Sequence, residues 1–165
     1  MKKIFLLGIS CFYHDSAVVL IRDGEIISAV QEERFSRKKH DSRFPENAIK
    51  YCLKSNNLDL RDIANIVYYE KPLLKKTRQF FAGEYDIALS YTEMPQWHLD
   101  HFNIKIDEYV KHHDSHAAAG YFTSPFKDAV VLTVDAIGEW DTVSISVACG
   151  NEIIRKETIK YPHSI

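Results

Sequence analysis

Residues 5–30 read FLLGISCFYHDSAVVLIRDGEIISAV, and this stretch carries the clearest strand and turn signals of the chain. It contains apolar runs at residues 5–9, 17–22 and 26–30, each of the length that a buried β-strand has. Asp23-Gly24 separates the last two runs, and this pair favours a type I′ turn because both central residues then need a positive φ. The stretch therefore predicts a strand, a polar loop, a second strand, a tight turn and a third strand.

The same layout recurs near the end of the chain. Residues 130–134 are mostly apolar and lead into Asp135. Residues 142–148 alternate between apolar and polar side chains, and Gly150-Asn151 forms the next turn. The first turn begins at residue 23 and the second at residue 150, so the copies are offset by 127 residues. Residue identity between the copies is negligible, and a layout that recurs at so long a period suggests a duplicated domain.

Helical patterns lie between the two copies. Pro45 suits the first turn of a helix, residues 113–122 are predicted to form another helix, and residues 63–69 are predicted to form a strand. Strands mixed with crossover helices indicate an α/β fold. We expect residues 1–128 to form a first lobe and residues 129–165 to form the opening strands of a second, incomplete lobe.

Composition and charge exclude several classes of protein. The chain has 165 residues, of which 45% are apolar and 27% charged, and this argues against disorder. Lys and Arg number 21 and Asp and Glu number 23, so the chain lacks the excess of positive charge that is typical of nucleic-acid-binding proteins. No apolar run approaches the roughly 18 residues of a membrane span, and three widely spaced cysteines fit a reducing cytosol. We expect a cytoplasmic protein that binds neither nucleic acid nor membranes.

The sharpest motif is HHDSH at residues 112–116. His112 and His116 are four residues apart and share one face of a helix, where two imidazoles can ligate one metal ion. Asp135 directly follows an apolar strand, the position at which α/β folds place ligand chemistry. The three residues form an N,N,O set that suits iron, manganese or zinc. The alternatives are a solvated, capped helix start for the histidines and a turn-forming role for Asp135.

The loop at residues 11–16 lies between the first two strands, at the place equivalent to residues 136–141 in the second copy. His14 in this loop is a candidate acid–base or phosphate-binding residue. Asp15 could orient it, although adjacent residues in a strand point apart. The alternative for His14 is an ordinary surface histidine. If the two copies pack as lobes, we expect both loops to face one cleft.

Two further segments are candidate binding sites. Gly138 and Glu139 are candidate cofactor-binding residues in a substrate loop, because glycine allows close backbone approach. Residues 34–40 are mostly basic and could meet an anionic phosphate, and the alternative is a solvated charged loop. The sequence has no Walker A, GxGxxG, GxSxG or CxxC motif. A nucleotide-binding role therefore rests on the duplicated layout.

Five blocks of sequence carry a family resemblance, and they follow one another along nearly the whole chain. They read FLLGISCFYHDSA (residues 5–17), QEERFSRKKHDSRFP (31–45), YYEKPLL (68–74), HHDSHAAAGYFTSPF (112–126) and VLTVDAIGEWDT (131–142). In these blocks the chain resembles the nodulation-protein and cephalosporin O-carbamoyltransferase family. Family members run far longer, and the chain looks like the amino-terminal part of one.

The resemblance implies an actin-like, sugar-kinase-like ATPase fold, related to tRNA threonylcarbamoyl-transfer proteins and followed in the family by a YrdC-like domain. It implies that carbamoyl phosphate is converted to carbamate and then, with ATP, to carbamoyl-adenylate. The carbamoyl group finally passes to a hydroxyl of a small acceptor. The YrdC-like domain is associated with the first steps and the actin-like domain with transfer. We expect this chain alone to lack transfer activity and to bind metal weakly, because its second lobe is unfinished.

The resemblance also assigns roles to single residues. His112, His116 and Asp135 match the family's metal ligands, and the metal is usually iron. A further aspartate ligand would lie beyond residue 165, and Mg²⁺ is expected to accompany the nucleotide. His14 matches the histidine beside the carbamoyl group, and Lys39 matches a basic position near phosphate or carbamoyl oxygen.

Two rival functions stay open. One is a tRNA-modification partner, but the tRNA-modifying relatives read Glu-Thr-Ser-Cys where this chain reads Ser-Cys-Phe-Tyr-His at residues 10–14. That departure and the balanced charge favour a small-molecule acceptor. The other rival is a non-catalytic nucleotide-binding scaffold module.

Overall fold

A computed structural model describes residues 3–90, 94–101 and 105–165 of the chain. The fold is mixed α/β, and contacts between residues divide it into two compact units. The first unit consists of Met1–Tyr69 and Tyr91–Tyr109, and the second consists of Glu70–Ser90 and Val110–Ile165. Each unit contains one β-sheet. The predicted pair of lobes, with its boundary after residue 128, stays a prediction.

The described part of the chain forms strands and helices throughout its length. The strands are β1 (Phe5–Ser10), β2 (Ala17–Arg22), β3 (Glu25–Gln31), β4 (Ile63–Tyr68), β5 (Glu108–Tyr109), β6 (Asp128–Val134), β7 (Asp141–Cys149) and β8 (Glu152–Lys160). The helices are α1 (Glu33–Ser36), α2 (Glu46–Ser55), α3 (Pro72–Phe81), α4 (Tyr85–Leu89), α5 (Pro95–Asp100) and α6 (His112–Phe122). Among these helices none has the length and apolar character that crossing a membrane requires.

The sheet of the first unit has the strand order β3-β2-β1-β4-β5. Strands β1, β2 and β3 pair antiparallel, which confirms the layout that residues 5–30 predict. Asp23 and Gly24 have φ values of 51° and 89° in the turn between β2 and β3, as a type I′ turn requires. Strand β4 adds parallel to β1, and β5 adds parallel to β4, so the hairpin layout extends into a mixed sheet.

The core of the first unit lies between this sheet and α2. Leu7 and Leu20 from the strands and Cys52 from α2 are fully buried in one apolar cluster. Gly8 lies where β1 and β2 approach closely, since a Cβ atom there would be 2.7 Å from Cγ1 of Val19. The paired strands β1 and β2 therefore hold both ends of the loop at residues 11–16, which connects them.

A buried carboxylate holds the start of α2. Glu32 is 3% exposed, and it accepts hydrogen bonds from the backbone N–H of Ala48 at 2.8 Å and from Nδ2 of Asn47 at 2.6 Å. Pro45 precedes the helix and has no side chain that could accept from these donors. Glu32 therefore serves as a cap for α2 that is supplied from a distant part of the chain.

The second unit contains the antiparallel sheet β6-β7-β8, as the second copy of the layout predicts. Helix α6 packs on this sheet through its buried face. The Tyr121 hydroxyl lies 2.6 Å from the carbonyl oxygen of Lys127, and Nδ1 of the fully buried His113 lies 3.0 Å from the Ser144 hydroxyl. These contacts fix the rotation of α6 about its axis, and with it the direction of the histidines on its first two turns.

Candidate functional site

The structure brings the predicted metal ligands together within the second unit. His112 begins α6 and His116 lies one turn later, so both imidazoles lie on the same face of the helix. Asp135 directly follows β6. Nε2 of His112 lies 3.0 Å from Nε2 of His116 and 2.8 Å from Oδ2 of Asp135, and Nε2 of His116 lies 3.7 Å from the same oxygen. The three ligand atoms thus form a small triangle.

This triangle has the size and chemistry that one transition-metal ion needs. Imidazole nitrogens and carboxylate oxygens bind such ions at about 2.0–2.2 Å, so two ligands on neighbouring positions of one ion lie about 3 Å apart. The three separations, from 2.8 to 3.7 Å, agree with that spacing. Two nitrogens and one oxygen form a donor set that suits iron, manganese or zinc. The residues present therefore fit a divalent metal ion.

Two further carboxylates surround His112. Oε1 of Glu139 accepts from the backbone N–H of His112 at 3.0 Å and from that of Lys71 at 2.8 Å. Oε2 of Glu70 lies 3.9 Å from Nδ1 of His112, and its other oxygen binds Nζ of Lys75 at 2.9 Å. Glu139 thus holds the backbone of His112, whereas Glu70 lies beside its ring, from where a carboxylate can orient a ligating histidine and make it more basic. The HHDSH spacing does not reveal Glu70, although it lies in the YYEKPLL block.

The charges at this centre favour a bound cation. Burial alone would raise the pKa of Glu70, but interactions with His112 and Lys75 outweigh it and lower that pKa, so Glu70 is an anion. Burial opposes a charged His112, but the carboxylates of Glu70, Asp135 and Glu139 outweigh it and raise the pKa of His112. Lys75 offsets one of the three carboxylates, and the remaining negative charge is what a metal ion would neutralise.

An ion-pair network joins the start of α6 to strands β7 and β8. Arg155 of β8 pairs with Asp114, on the first turn of α6, and with Asp141 of β7. The fully buried His113 directly precedes Asp114 on the helix, and burial lowers its pKa and favours the neutral imidazole. Sequence reasoning missed Arg155, because this network joins residues that are far apart in the chain. Asp114 and His113 hold the helix in place, beside the proposed ligands.

Gly138 and Glu139 lie in the second unit, against the same helix. A Cβ atom on Gly138 would lie 3.1 Å from Cβ of His112 and 3.2 Å from Cδ2 of His113. The Gly138 N–H donates to the carbonyl oxygen of Asp141 at 2.8 Å, and Oε1 of Glu139 accepts from the backbone N–H of His112. The loop therefore supports His112, and its predicted role in binding a cofactor stays a prediction.

Replacing Gly138 by alanine is expected to raise the dissociation constant for Mn²⁺ about 10-fold, since a group that supports a ligand typically contributes about 10- to 100-fold in affinity. The added methyl group would push on His112 and shift its ring. The measurement is a titration with Mn²⁺ that is monitored by electron paramagnetic resonance.

Gly120→Ala is the matched control for Gly138→Ala. Gly120 lies on α6, and a Cβ atom there would meet no atom within 4 Å. Alanine in a helix interior is more favourable than glycine by about 1 kcal/mol, so Gly120→Ala should stabilise the protein and leave Mn²⁺ affinity unchanged. Equal Mn²⁺ affinity in Gly138→Ala and the unmodified protein would contradict a supporting role for this loop.

The first unit contains the other predicted site residues, His14 and Lys39. Oδ2 of Asp15 lies 2.8 Å from Nδ1 of His14, and Oδ1 of Asp15 lies 2.9 Å from Nδ1 of His40. Lys39 is exposed and precedes His40 in the chain. Hydrogen bonds first from His40 and then from His14 hold the pKa of Asp15 below its ordinary value. Sequence reasoning placed His40 only within a basic cluster and missed its pairing with Asp15.

A cavity opens beside the same loop of the first unit. Its volume is about 500 Å³, within the range of small-molecule sites. Phe12, from the loop of His14, lines it together with Phe44 and His98, whose rings stack at 4.8 Å between centroids. Polar groups complete the lining, namely Glu32, Ser42, Arg43, Glu46 and Asn47. The cavity thus combines aromatic faces with hydrogen-bonding groups.

Comparison with known proteins finds several similar chains. The sequence profile of the family described as "Carbamoyltransferase N-terminus" matches residues 5–93 and 98–165. The uncharacterized protein sll1178 of Synechocystis is 39% identical over 97% of this chain and 30% of its own length. The nodulation protein NolNO of Sinorhizobium fredii is 31% identical over 93% of this chain and 24% of its own length. The chain therefore spans less than a third of either relative.

Among solved structures, one similar chain is that of the PPX-GPPA enzyme of Aquifex aeolicus. The likeness covers 98% of this chain and 53% of that chain, with a TM-score of 0.47 and 13% sequence identity.

Proposed function

This chain belongs to the carbamoyltransferase N-terminus family, and from that premise we propose that the full-length protein is an O-carbamoyltransferase with a small hydroxyl-bearing acceptor. One observation carries the proposal: the family match extends over the loop of His14 and over the helix of His112 and His116. The aromatic and polar cavity lined by Phe12 supports an acceptor of small-molecule size.

The proposed reaction starts from carbamoyl phosphate. Water converts carbamoyl phosphate to carbamate and inorganic phosphate, and carbamate then attacks the α-phosphorus of ATP to give carbamoyl-adenylate and pyrophosphate. The acceptor hydroxyl oxygen forms a bond to the carbamoyl carbon, and the bond from that carbon to the adenylate oxygen breaks. The products are the carbamate ester of the acceptor and AMP. We assign the last of these steps to this part of the protein.

His14 is the proposed proton acceptor in the transfer step. Its side chain is 64% exposed, so its ring can approach a substrate hydroxyl. The hydroxyl proton would pass to Nε2 of His14 as the oxygen attacks the carbamoyl carbon. Lys39 is the proposed partner of a phosphate or carbamoyl oxygen, to which its ammonium group offers a compact positive charge.

His112, His116 and Asp135 are the proposed ligands of a divalent metal ion, with iron as the first candidate and Mn²⁺ or Zn²⁺ as alternatives. When bound, such an ion supplies positive charge that offsets the charge of phosphate oxygens. Gly138 and Glu139 remain proposed nucleotide-binding residues, with Mg²⁺ accompanying ATP. Glu139 also holds the first backbone N–H of α6, so its substitution would disturb the metal ligands.

We further propose an actin-like fold with two duplicated lobes. The recurring layout supports it, because β1-β2-β3 in the first unit and β6-β7-β8 in the second are both antiparallel three-stranded units. The turns that close them, at Asp23-Gly24 and at Gly150, both use positive φ values.

Incubating the full-length protein with ATP and carbamoyl phosphate tests the proposed function. We expect mass spectrometry to detect carbamoyl-adenylate, together with pyrophosphate, before any acceptor is added. An ATP analogue with a methylene group between the α- and β-phosphorus atoms should give none, since its P–C bond does not break. Failure to form carbamoyl-adenylate from ATP in the metal-loaded protein would refute this route.

A further inference from the structure

One carboxylate in the first unit lies between two imidazoles. Oδ2 of Asp15 is 2.8 Å from Nδ1 of His14, and Oδ1 of the same residue is 2.9 Å from Nδ1 of His40. An ionised carboxylate only accepts hydrogen bonds, so both Nδ1 atoms must carry the proton that is shared with Asp15. The contact therefore selects one tautomer of each ring and leaves Nε2 of each as the basic atom.

The backbone explains how two neighbouring residues can face each other. Side chains of adjacent residues in a strand point apart, but Asp15 lies in the loop between β1 and β2 and has φ of 49°. Asp tolerates this left-handed region better than most residues. His40 also has a positive φ, 54°, and its backbone N–H donates to Oε2 of Glu33 at 3.0 Å. The pairing thus needs two uncommon backbone conformations.

Backbone hydrogen bonds hold the two segments in register. Phe12 N–H donates to the carbonyl of Ser42 at 2.7 Å, and Ser16 N–H donates to the carbonyl of Asp41 at 2.8 Å. Asp41 is fully buried and binds the Arg43 guanidinium through Nε at 2.9 Å and through Nη2 at 2.6 Å. Uncommon φ values persist only where surrounding contacts determine them, and such residues cluster at functional sites.

We propose that Asp15 is a positioning residue for His14, holding its imidazole in the Nδ1–H tautomer so that Nε2 faces the substrate as a base. This rests on the proposed function, in which His14 accepts the proton of the acceptor hydroxyl. His40 contacts Oδ1 of Asp15, and this contact holds the carboxylate in the orientation in which Oδ2 faces His14. The lowered pKa of Asp15, caused first by His40 and then by His14, keeps the carboxylate ionised.

The tautomer of His14 can be measured directly by ¹⁵N nuclear magnetic resonance of the histidine-labelled protein. In the unmodified protein at a pH where the imidazoles are neutral, we expect His14 and His40 as Nδ1–H tautomers. In Asp15→Asn, His14 should lose this preference, because the amide group can donate as well as accept. Asn suits the left-handed φ at position 15, so the loop backbone should be preserved.

Two control variants separate the contact from general disturbance of the loop. His40→Asn keeps Oδ2 of Asp15 available, so His14 should remain an Nδ1–H tautomer, and Asn again suits the positive φ at position 40. His101→Asn removes another exposed histidine of the same unit, whose Nδ1 faces the Trp97 carbonyl oxygen at 3.0 Å, and should leave the His14 signals unchanged. An Nε2–H tautomer of His14 in the unmodified protein, or no change in Asp15→Asn, would overturn the proposal.

Kinetics of the full-length, metal-loaded protein complete the test. Asp15→Asn should lower kcat for transfer about 100-fold with little change in KM for the acceptor, because proton transfer contributes about 10²- to 10⁴-fold. If Asp15 controls the tautomer but His14→Asn keeps full transfer, the proposed function of His14 fails and the positioning contact stands. If His14→Asn abolishes transfer but the tautomer of His14 is unchanged in Asp15→Asn, the positioning proposal fails and the proposed function of His14 stands.

Discussion

A His14→Asn variant of the full-length protein is expected to lose carbamoyl transfer about 10²- to 10⁴-fold, the contribution typical of a general base. Asn can still donate and accept hydrogen bonds, but it takes up no proton at neutral pH. The substituted side chain is 64% exposed, so the core of the first unit should be unaffected. Binding of ATP should be spared, and single-turnover transfer from preformed carbamoyl-adenylate is the measurement.

The matched control for His14→Asn is His101→Asn, which makes the same replacement at another exposed histidine of the same unit. It should keep both the transfer rate and the thermal unfolding temperature of the unmodified protein. Full transfer activity in His14→Asn would exclude this histidine as the base. Loss of ATP binding together with transfer would instead point to a role in holding the nucleotide.

Replacing a proposed metal ligand is expected to raise the dissociation constant for Zn²⁺ or Mn²⁺ by about 100-fold or more. Loss of a group that only hydrogen-bonds to a ligand already lowers metal affinity about 10- to 100-fold. His116→Ala and Asp135→Asn are the informative variants. Side chains at these positions are 55% and 26% exposed, whereas that of His112 is 7% exposed. The first two can therefore be changed with less risk to folding.

Two variants in the same unit serve as controls for the metal experiment. His163→Ala removes an exposed histidine outside the triangle, and Asp128→Asn changes the carboxylate at the other end of β6. Both should bind metal as the unmodified protein does in competition with a chromogenic chelator, and circular dichroism should show the same fold in all four variants. Unchanged affinity in both His116→Ala and Asp135→Asn would remove the metal centre from this triangle.

The strands of both hairpin units could be predicted because their signals are local. Apolar runs of strand length and the turn residues Asp23, Gly24 and Gly150 specify the antiparallel units from residues that are near neighbours in the chain. The His112–His116 spacing is local as well, since residues four apart on any helix share a face. These predictions needed no knowledge of which distant segments meet.

The strand order and the surroundings of each site could not be predicted in this way. Nothing near β1 in the chain specifies that β4 adds parallel to it, and no spacing rule brings Glu70 or Arg155 to helix α6. The pairing of Asp15 with both His14 and His40 even runs against the rule for neighbouring residues in a strand, because it depends on a left-handed backbone at Asp15.

Turn geometry and the periodicity of side chains along the backbone were thus sufficient to predict the two hairpin units and the α/β class. Residue spacing was sufficient to propose His112, His116 and Asp135 as one ligand set. The distances between these ligand atoms, and the pairing of Asp15 with His40, come only from the tertiary structure. The triangle of His112, His116 and Asp135 and the carboxylate between His14 and His40 both join segments more than 15 residues apart. Such contacts form because the packing of whole elements, with its buried area and satisfied hydrogen bonds, outweighs the preferences of any one segment.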